Sequence, residues 1–347
     1  MPLLQFLPVL LIYLFGLINL LGIRPDLTVR HIVFFVIGLV FFLMVRVLRI
    51  NNQFFRLNAS VIYWVFILLL VITYFFGVEV NGSRRWFDIY FFRFQPSEFI
   101  KVFFIIFLAN MFAKYQAYSQ KQQIFLLTLG YTVLPFLLVF RQPDLGSAVV
   151  IFVIFIVMSL LSTIPKKHIL VFFIVCVSLL PALWFVMHDY QRDRIIGFIK
   201  PSYNVSSTSY NMTQAIIAIG SGTLTGKGLG LGKQSQLYFL PEYHTDFVFS
   251  SFVEQFGFIG GFILIVLYLI FFALLFMRMV KYMKEKDISG KFNYYYIVGF
   301  SAFLIFQTCV NMGMNLGLLP IAGITLPFVS YGGSSLITLM LGLALLP

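Results

Sequence analysis

The segment Tyr203–Gly261, YNVSSTSYNMTQAIIAIGSGTLTGKGLGLGKQSQLYFLPEYHTDFVFSSFVEQFGFIGG, is the one long polar, glycine-rich stretch of the chain with apolar runs of membrane length on both sides. A loop of this length is either functional or disordered. Ala215–Ile219, Leu237–Leu240 and its aromatic residues give it apolar groups to pack, which favours function. Its far end, Pro241–Asp246, delivers a carboxylate to the start of the next apolar helix.

Working outward, 61% of the 347 residues are hydrophobic and 10% charged, against roughly a quarter charged in soluble domains. The apolar runs are continuous and about twenty residues long, unlike the alternating segments of an outer-membrane barrel, so they read as bilayer-spanning helices. The expected fold class is an all-α integral membrane protein with ten transmembrane helices. The spans are expected near residues 3–21, 31–48, 59–77, 97–113, 123–140, 147–164, 168–188, 247–279, 293–313 and 325–346. Residues 1–347 read as a single polytopic membrane domain with one long loop, 189–246, between spans 7 and 8. MPLLQFLPVL has neither a basic n-region nor a small-residue cleavage site and reads as a retained first span. Cys176 and Cys309 lie singly in apolar runs, so no disulfide is expected.

The formal charge of +12 lies largely in short loops, where it reports topology rather than nucleic-acid binding. With a cytoplasmic N-terminus, the inner connectors hold twelve basic residues (Arg46, Arg49, Arg56, Lys114, Lys121, Lys166, Lys167, Arg278, Lys281, Lys284, Lys286 and Lys291) against two acids, Glu285 and Asp287. The positive-inside rule then places both termini in the cytoplasm and loop 189–246 outside. The outer face also receives NGSRRWFDIYFFRFQPSE (81–98), RQPDLGS (141–147) and NMGMNLGLLPIAGITLPFVSYGGSS (311–335).

Several residues could carry chemistry. Thr245 can cap the next helix through its hydroxyl, placing Asp246 in a first turn that favours an anion; it is either a helix-start acid or a sheltered base. Glu254 lies eight residues further on, about 12 Å along a helix, where an ionisable group demands a partner or a function. Glu98 and Lys101 share a helical face at i,i+3 spacing, as a structural pair or at the border of a polar cavity. Arg84, Arg85 and Trp86 head an interfacial anchor, or Arg85 grips a lipid phosphate. The run TGKGLGLG (225–232) has no βαβ context for a dinucleotide site; beside Lys227 and Lys233 it suits a gate or a diphosphate cradle. Asp144 reads as a helix cap and His244 as a loop-positioning residue, and no metal-ligand or nucleophile motif is present.

Taken together, NGSRRWFDI with FRFQPSEFIKV, RQPDLGSA, the stretch from YNMTQ to FGFIG, and NMGMNLGLLPIAGITLPFVSYGGSS resemble the SEDS family of bacterial cell-wall polymerases, RodA and FtsW, over about residues 80–346. Asn311, Gly317, Pro320, Gly323, Ser330, Tyr331, Gly332, Gly333 and Ser334 fall on the family's signature spacing. The resemblance implies a peptidoglycan glycosyltransferase that polymerises lipid II on the outer face of the bacterial cytoplasmic membrane, with Asp246 catalytic. It also places Glu98 and Lys101 within a central cavity; with the residues read above, the expected substrate-binding set is Arg85, Glu98, Lys101, Lys227, Lys233, Glu254 and Ser330. No cofactor is required by this reading, although a divalent cation such as Mg or Mn is compatible with it. The implied partners are a class B penicillin-binding protein and membrane proteins of the elongation machinery, with no nucleic acid. GKG followed by KQSQLYFLPEYHTDF looks more like the RodA than the FtsW branch. The rival readings are an FtsW-type division polymerase, a lipid II flippase or transporter, and a scaffold for a transpeptidase.

Overall fold

The computed structural model describes residues 2–48, 52–80, 83–89, 92–115, 121–187, 189–199 and 207–347. Arg49, the Asn81–Gly82 and Tyr90–Phe91 parts of the expected interfacial segment, and 200–206 of the long loop lie outside the described residues.

In chain order the elements are α1 (Pro2–Ile23), α2 (Pro25–Val47), α3 (Asn52–Leu57), α4 (Ala59–Phe76), β1 (Val78–Val80), β2 (Ser83–Ile89), β3 (Phe92–Phe94), α5 (Pro96–Tyr115), α6 (Lys121–Arg141), α7 (Leu145–Leu160), α8 (Lys166–Val186), α9 (Asp189–Ile199), α10 (Ser207–Ser221), α11 (Lys233–Gln236), α12 (Val248–Met283), α13 (Ile288–Asn315) and α14 (Gly333–Ala344). A helix lies at each of the ten expected spans. Seven are long and apolar enough among the described residues to cross a bilayer, and Leu145–Leu160 and Gly333–Ala344 are shorter apolar helices. The protein is a multi-pass helical membrane protein.

Three local expectations are corrected. The segment after α4 is not one amphipathic anchor: β1, β2 and β3 form an antiparallel sheet with Val78 opposite Trp86 and Phe87 opposite Phe94. The last span begins at Gly333 rather than 325, because Thr325–Gly332 is held in a non-helical path with Phe328 at φ 64°. Such backbone survives at membrane depth only when protein groups satisfy it. Finally, α12 is interrupted at Gly257 (φ 68°, ψ −171°), so Glu254 and the apolar run beyond Gly257 do not share one continuous helix.

The chain forms two compact units. Unit 1 comprises Met1–Ile32, Val171–Phe271 and Gln307–Gly332; unit 2 comprises Val33–Leu170, Phe272–Phe306 and Gly333–Pro347.

Unit 1 has a core of Leu20, Ile23, Met212, Ala215, Ala218, Leu240, Tyr243, Phe247, Met314 and Ile321. Met212, Ala215 and Ala218 of α10 recur at helical spacing, so this helix of the long loop buries one stripe and leaves Ile216 and Ile217 exposed. The loop is therefore packed, as its apolar groups led us to expect.

Unit 2 is built on α5. Between its ends PSEFIKVFFIIFLANMFAKY is apolar all round apart from Lys101 and Asn110, and a helix of that kind is buried; Ile100 through Ala113 are all buried. Phe66 stacks on Phe103 and Tyr63 on Phe107, with ring centroids 4.4 and 4.3 Å apart. As expected, Asp144 caps α7, its carboxylate accepting from the Ser147 amide at 3.1 Å. The same carboxylate accepts from Ser97 Oγ at 3.1 Å, which ties the start of α5 to the start of α7. Asp144→Ala should therefore lower stability by more than the ~1 kcal/mol of a simple cap, while Asp144→Asn keeps part of it; thermal unfolding of the detergent-solubilised protein measures both.

Candidate active site

The turn Pro241–Phe247 carries Asp246 in unit 1. It is not a helix start: α12 begins at Val248, and Glu242 takes φ 51°. The Glu242 carbonyl accepts from the amides of both Thr245 and Phe247 at 3.1 Å. The Thr245 hydroxyl donates to the Glu242 carboxylate at 2.8 Å rather than capping α12, which corrects the capping expectation. The cap comes from far along the chain, since Asn315 Oδ1 accepts from the amide and hydroxyl of Ser250 at 3.0 and 2.6 Å.

A non-helical turn must find donors for its carbonyls elsewhere, and three successive ones do. The His244 carbonyl accepts from the Tyr331 amide at 2.9 Å. The Thr245 carbonyl accepts from Ser330 Oγ at 2.6 Å. The Asp246 carbonyl accepts from Asn311 Nδ2 at 2.8 Å and Asn315 Nδ2 at 3.1 Å. Ser330 Oγ also accepts from the Leu326 amide at 2.8 Å, and Asn311 Nδ2 also donates to the Ile324 carbonyl at 2.7 Å. The stretch from Asn311 to Tyr331 thus clamps the backbone under Asp246, whose residue is part-exposed while Phe247 and Val248 beside it are buried.

Cationic and aromatic groups surround this turn. Arg24, in the α1–α2 connection, forms an ion pair with Asp26 at 2.8 Å. That pairing, with the neighbouring Tyr243 hydroxyl adding to it, holds the guanidinium above its ordinary pKa. His244 packs against Tyr331 and Tyr243, with ring centroids 5.9 and 5.3 Å away. Burial lowers its pKa, and Glu242 only partly opposes this. Nδ1 of His244 is buried without a hydrogen-bond partner, so the ring is a neutral packing element, consistent with the loop-positioning role expected for it.

Among the described residues Glu254 does not have the cationic partner that its place in an apolar run suggested. Its carboxylate accepts from the Gln234 amide at 2.8 Å, the Ser235 amide at 3.2 Å and Ser235 Oγ at 2.8 Å. The next residue, Gln255, accepts from the Gly230 amide at 2.8 Å and donates to Asn19 Oδ1 at 2.6 Å. The glycine run lies directly on the break in α12. The Lys227 and Gly228 amides donate to the Glu254 and Gln255 carbonyls, and the Phe258 and Ile259 amides donate to Thr223 and Leu224. A Cβ at Gly226 (φ 85°) would stand 2.0 Å from the Gln255 carbonyl oxygen, so only glycine fits this crossing. Lys227 and Lys233 are exposed on the loop so fixed.

The remaining expected residues lie in unit 2. Lys101 Nζ meets Glu98 Oε1 at 2.5 Å with both side chains buried, the pair expected from their spacing. The ammonium also sits 5.3 Å from the Phe303 ring centroid, and Glu98 Oε2 is buried without a partner. Arg85 donates to the Gln142 carbonyl at 2.8 Å and to the Pro143 carbonyl, fastening β2 to the turn before α7. Among the described residues no three His, Cys, Asp or Glu side chains form a group able to hold a metal ion; the residues present do not fit a metal centre of protein ligands alone.

The site therefore joins Asp246 with Ser330, whose hydroxyl is engaged by the Thr245 carbonyl and the Leu326 amide. It adds Arg24, Asn311, Asn315 and Gln255, which were not singled out for the site. Asn311 was noted only as a signature position; its i,i+4 spacing to Asn315, NMGMN, was the available signal.

The family model of the FtsW, RodA and SpoVE cell cycle proteins matches residues 2–347. The chain is 37% identical to the peptidoglycan glycosyltransferase MrdB of Escherichia coli strain K12, covering 86% of this chain and 80% of that protein. It is 35% identical to the probable peptidoglycan glycosyltransferase FtsW of Hydrogenovibrio crunogenus, covering 86% and 76%. Among solved structures, a chain of a peptidoglycan synthase complex, studied for how polymerization and crosslinking are coordinated, superposes with a TM-score of 0.80 at 29% identity, covering 99% of this chain and 95% of that one. The rod shape determining protein RodA of Thermus thermophilus gives 0.71 at 29% identity, covering 99% and 94%.

Two outcomes are expected. Ser330→Ala strips donors or acceptors from Thr245 and Leu326 and should cost about 1–3 kcal/mol; in a double-mutant cycle with Asn311→Ala, unfolding measurements should give a non-additive loss. Because the folded-state pKa of His244 is depressed, the unfolded chain binds more protons as pH falls. Thermal stability should therefore drop more steeply below pH ~6.5 in the wild type than in His244→Gln.

Proposed function

Because the chain belongs to the FtsW/RodA/SpoVE family, we propose that it is a peptidoglycan glycosyltransferase extending glycan strands from lipid II, with Asp246 as general base. The observation that carries this reading is the clamp on three successive carbonyls, which fixes a part-exposed carboxylate at the end of a packed loop.

A sugar hydroxyl is too weak an acid to ionise near neutrality. It must lose its proton as it attacks the anomeric carbon of the donor. One positioned carboxylate can accept that proton, contributing about 100- to 10,000-fold. The diphosphate leaves as an anion, which calls for cations rather than a second carboxylate acid. This differs from glycoside hydrolysis, which uses two carboxylates. Asp246 would take the proton, the new bond would form as the lipid diphosphate departs, and direct displacement would invert the anomeric centre. Lys227 and Lys233 on the stitched loop, together with Arg24, would be among the unit 1 cations that serve the diphosphate. Glu254 would serve the substrate indirectly by holding that loop. Glu98, Lys101 and Arg85 remain proposed substrate-binding residues in their own unit, and Glu98→Gln tests this through KM against kcat.

The chain would lie in the bacterial cytoplasmic membrane as one polytopic unit, with both termini inside and loop 189–246 outside. Its partner would be a class B penicillin-binding protein working with the elongation machinery. The break in α12 would suit a transporter, but loop backbone fills it, which favours an enzyme with a fixed loop.

Purified Asp246→Asn supplied with lipid II, with moenomycin silencing contaminating glycosyltransferases, should lose polymer formation by at least about 100-fold; polymer at the wild-type rate would remove the carboxylate from the mechanism. In cells, expression should restore rod shape to Escherichia coli depleted of MrdB; rescue of division alone would assign the FtsW role instead.

A further inference from the structure

The run 258–277 of α12 holds no charged residue, with Glu254 before it and Arg278 after it. It has the length that crosses a hydrocarbon core, about 20 residues, so the break at Gly257 falls where that core begins on the side of the long loop. The loop is tied to this level. The Phe258 and Ile259 amides donate to the Thr223 and Leu224 carbonyls at 2.9 and 3.1 Å, and the Lys227 and Gly228 amides donate to the Glu254 and Gln255 carbonyls at 2.9 and 3.1 Å. The amides of Gly226, Gly230 and Leu231 also have protein acceptors, in the Gly222 carbonyl, Gln255 Oε1 and the Gly228 carbonyl. Backbone outside helices enters a bilayer only when protein groups satisfy it in this way.

The side chains on that backbone turn outward. Leu224, Leu229 and Leu231 are 66, 52 and 68% exposed, and Leu237, Tyr238 and Phe239 after α11 are exposed as well. So are Phe258, Ile259, Phe262 and Ile263, at the start of the apolar run, where Phe258 stacks on Phe262 with ring centroids 6.2 Å apart. Because the Ile259 amide is bonded to Leu224, the apolar face of the loop continues the face that this membrane-spanning helix turns to acyl chains. Lys227 and Lys233 are exposed among the leucines. The surface calls for hydrocarbon with anionic oxygens close by.

We propose that residues 223–239 dip into the lipid leaflet on the loop's side of the membrane, the outer one in the orientation proposed above, with Leu224, Leu229 and Leu231 among the upper acyl chains and Lys227 and Lys233 at the lipid phosphates. Lysine stems lie along apolar surface while the ammonium reaches a polar layer, and apolar side chains with basic neighbours hold a segment at the headgroup boundary. Tyr238 and Phe239 suit the same layer, where aromatic residues collect. Left in water, the leucines would forfeit the free energy that transfer to hydrocarbon supplies. A protein partner covering Leu224 would have to displace the lipid already against Ile259. The surface is independent of the polymerase reading, since it rests on the loop's bonds to α12 and on side-chain exposure.

The test uses the full chain carrying Cys176→Ala and Cys309→Ala, reconstituted in vesicles of phosphatidylethanolamine and phosphatidylglycerol, with one nitroxide attached at Leu224→Cys, Leu231→Cys, Phe262→Cys or Pro241→Cys. Collisions with oxygen, which concentrates in hydrocarbon, should exceed those with a water-soluble nickel chelate at Leu224→Cys and Leu231→Cys, as at Phe262→Cys. The order should reverse at Pro241→Cys, an exposed position beyond the proposed segment. An excess of nickel collisions at both leucine positions would place the face in water and overturn the proposal. Infrequent collisions with both reagents would mean that protein covers the face, and would overturn it equally. The unmodified chain gives a second reading that needs no substitution: a phospholipid with a photoactivated diazirine near the top of its acyl chain should label peptides containing residues 223–239 together with those containing 258–263. Labelling of 258–263 alone would also overturn the proposal.

Discussion

The carbonyls of His244, Thr245 and Asp246 point out of a turn that is not helical, and each is met by a donor from a stretch that begins some sixty-five residues later. Unpaired peptide carbonyls are costly in a low-dielectric surrounding. The turn can therefore hold its shape only while Asn311, Asn315, Ser330 and the Tyr331 amide are in place. This explains why Thr325–Gly332 stays irregular: a helix there would use the amide of Tyr331 for itself. The irregular path in turn has its own support, with the Leu326 amide and Ile324 carbonyl returned to Ser330 and Asn311. A base fixed in this way needs little reorganisation when a reacting group arrives.

The same economy of paired backbone organises the long loop. Breaking α12 at Gly257 exposes carbonyls of Glu254 and Gln255 and amides of Phe258 and Ile259, and the loop backbone from Thr223 to Gly228 answers all four. Two side chains from the turn before the break complete the work, with Glu254 holding the start of α11 and Gln255 holding Gly230 and Asn19. A carboxyl group in an apolar run is here a structural bolt. Buried networks of this kind are stabilising when every member is satisfied and fragile when one is lost. In unit 2 the equivalent knot is Asp144, shared by the α7 cap and Ser97.

Family membership and the two clamps bear on different questions. Membership fixes the class of protein, a helical membrane protein related to peptidoglycan glycosyltransferases. The clamps say how such a chain can present a carboxylate, Asp246, and a lysine, Lys227, on non-helical backbone whose carbonyls and amides find partners. Relatives of both the MrdB and FtsW kinds are nearly equally similar, so elongation and division are separated only in the cell.

The sequence alone determined that the chain is helical and membrane-spanning, where ten helices fall, that Asp144 caps a helix and that Glu98 faces Lys101. Hydrophobic run length, caps and i,i+3 neighbours are local properties, and local properties can be read from order along the chain. It also pointed to Asp246, through a long polar loop that ends in a carboxylate. What only tertiary structure decided was who holds that carboxylate. Thr245 bonds Glu242 instead of capping α12 because Asn315 already serves Ser250, and Glu254 binds backbone amides because the break at Gly257 brings the glycine run onto it. Likewise SRRWFDI became a strand once Val78 and Phe94 were available on either side to pair with it. Each of these outcomes depends on a partner distant in sequence, and hydrogen bonds between distant residues leave no periodic trace in either segment.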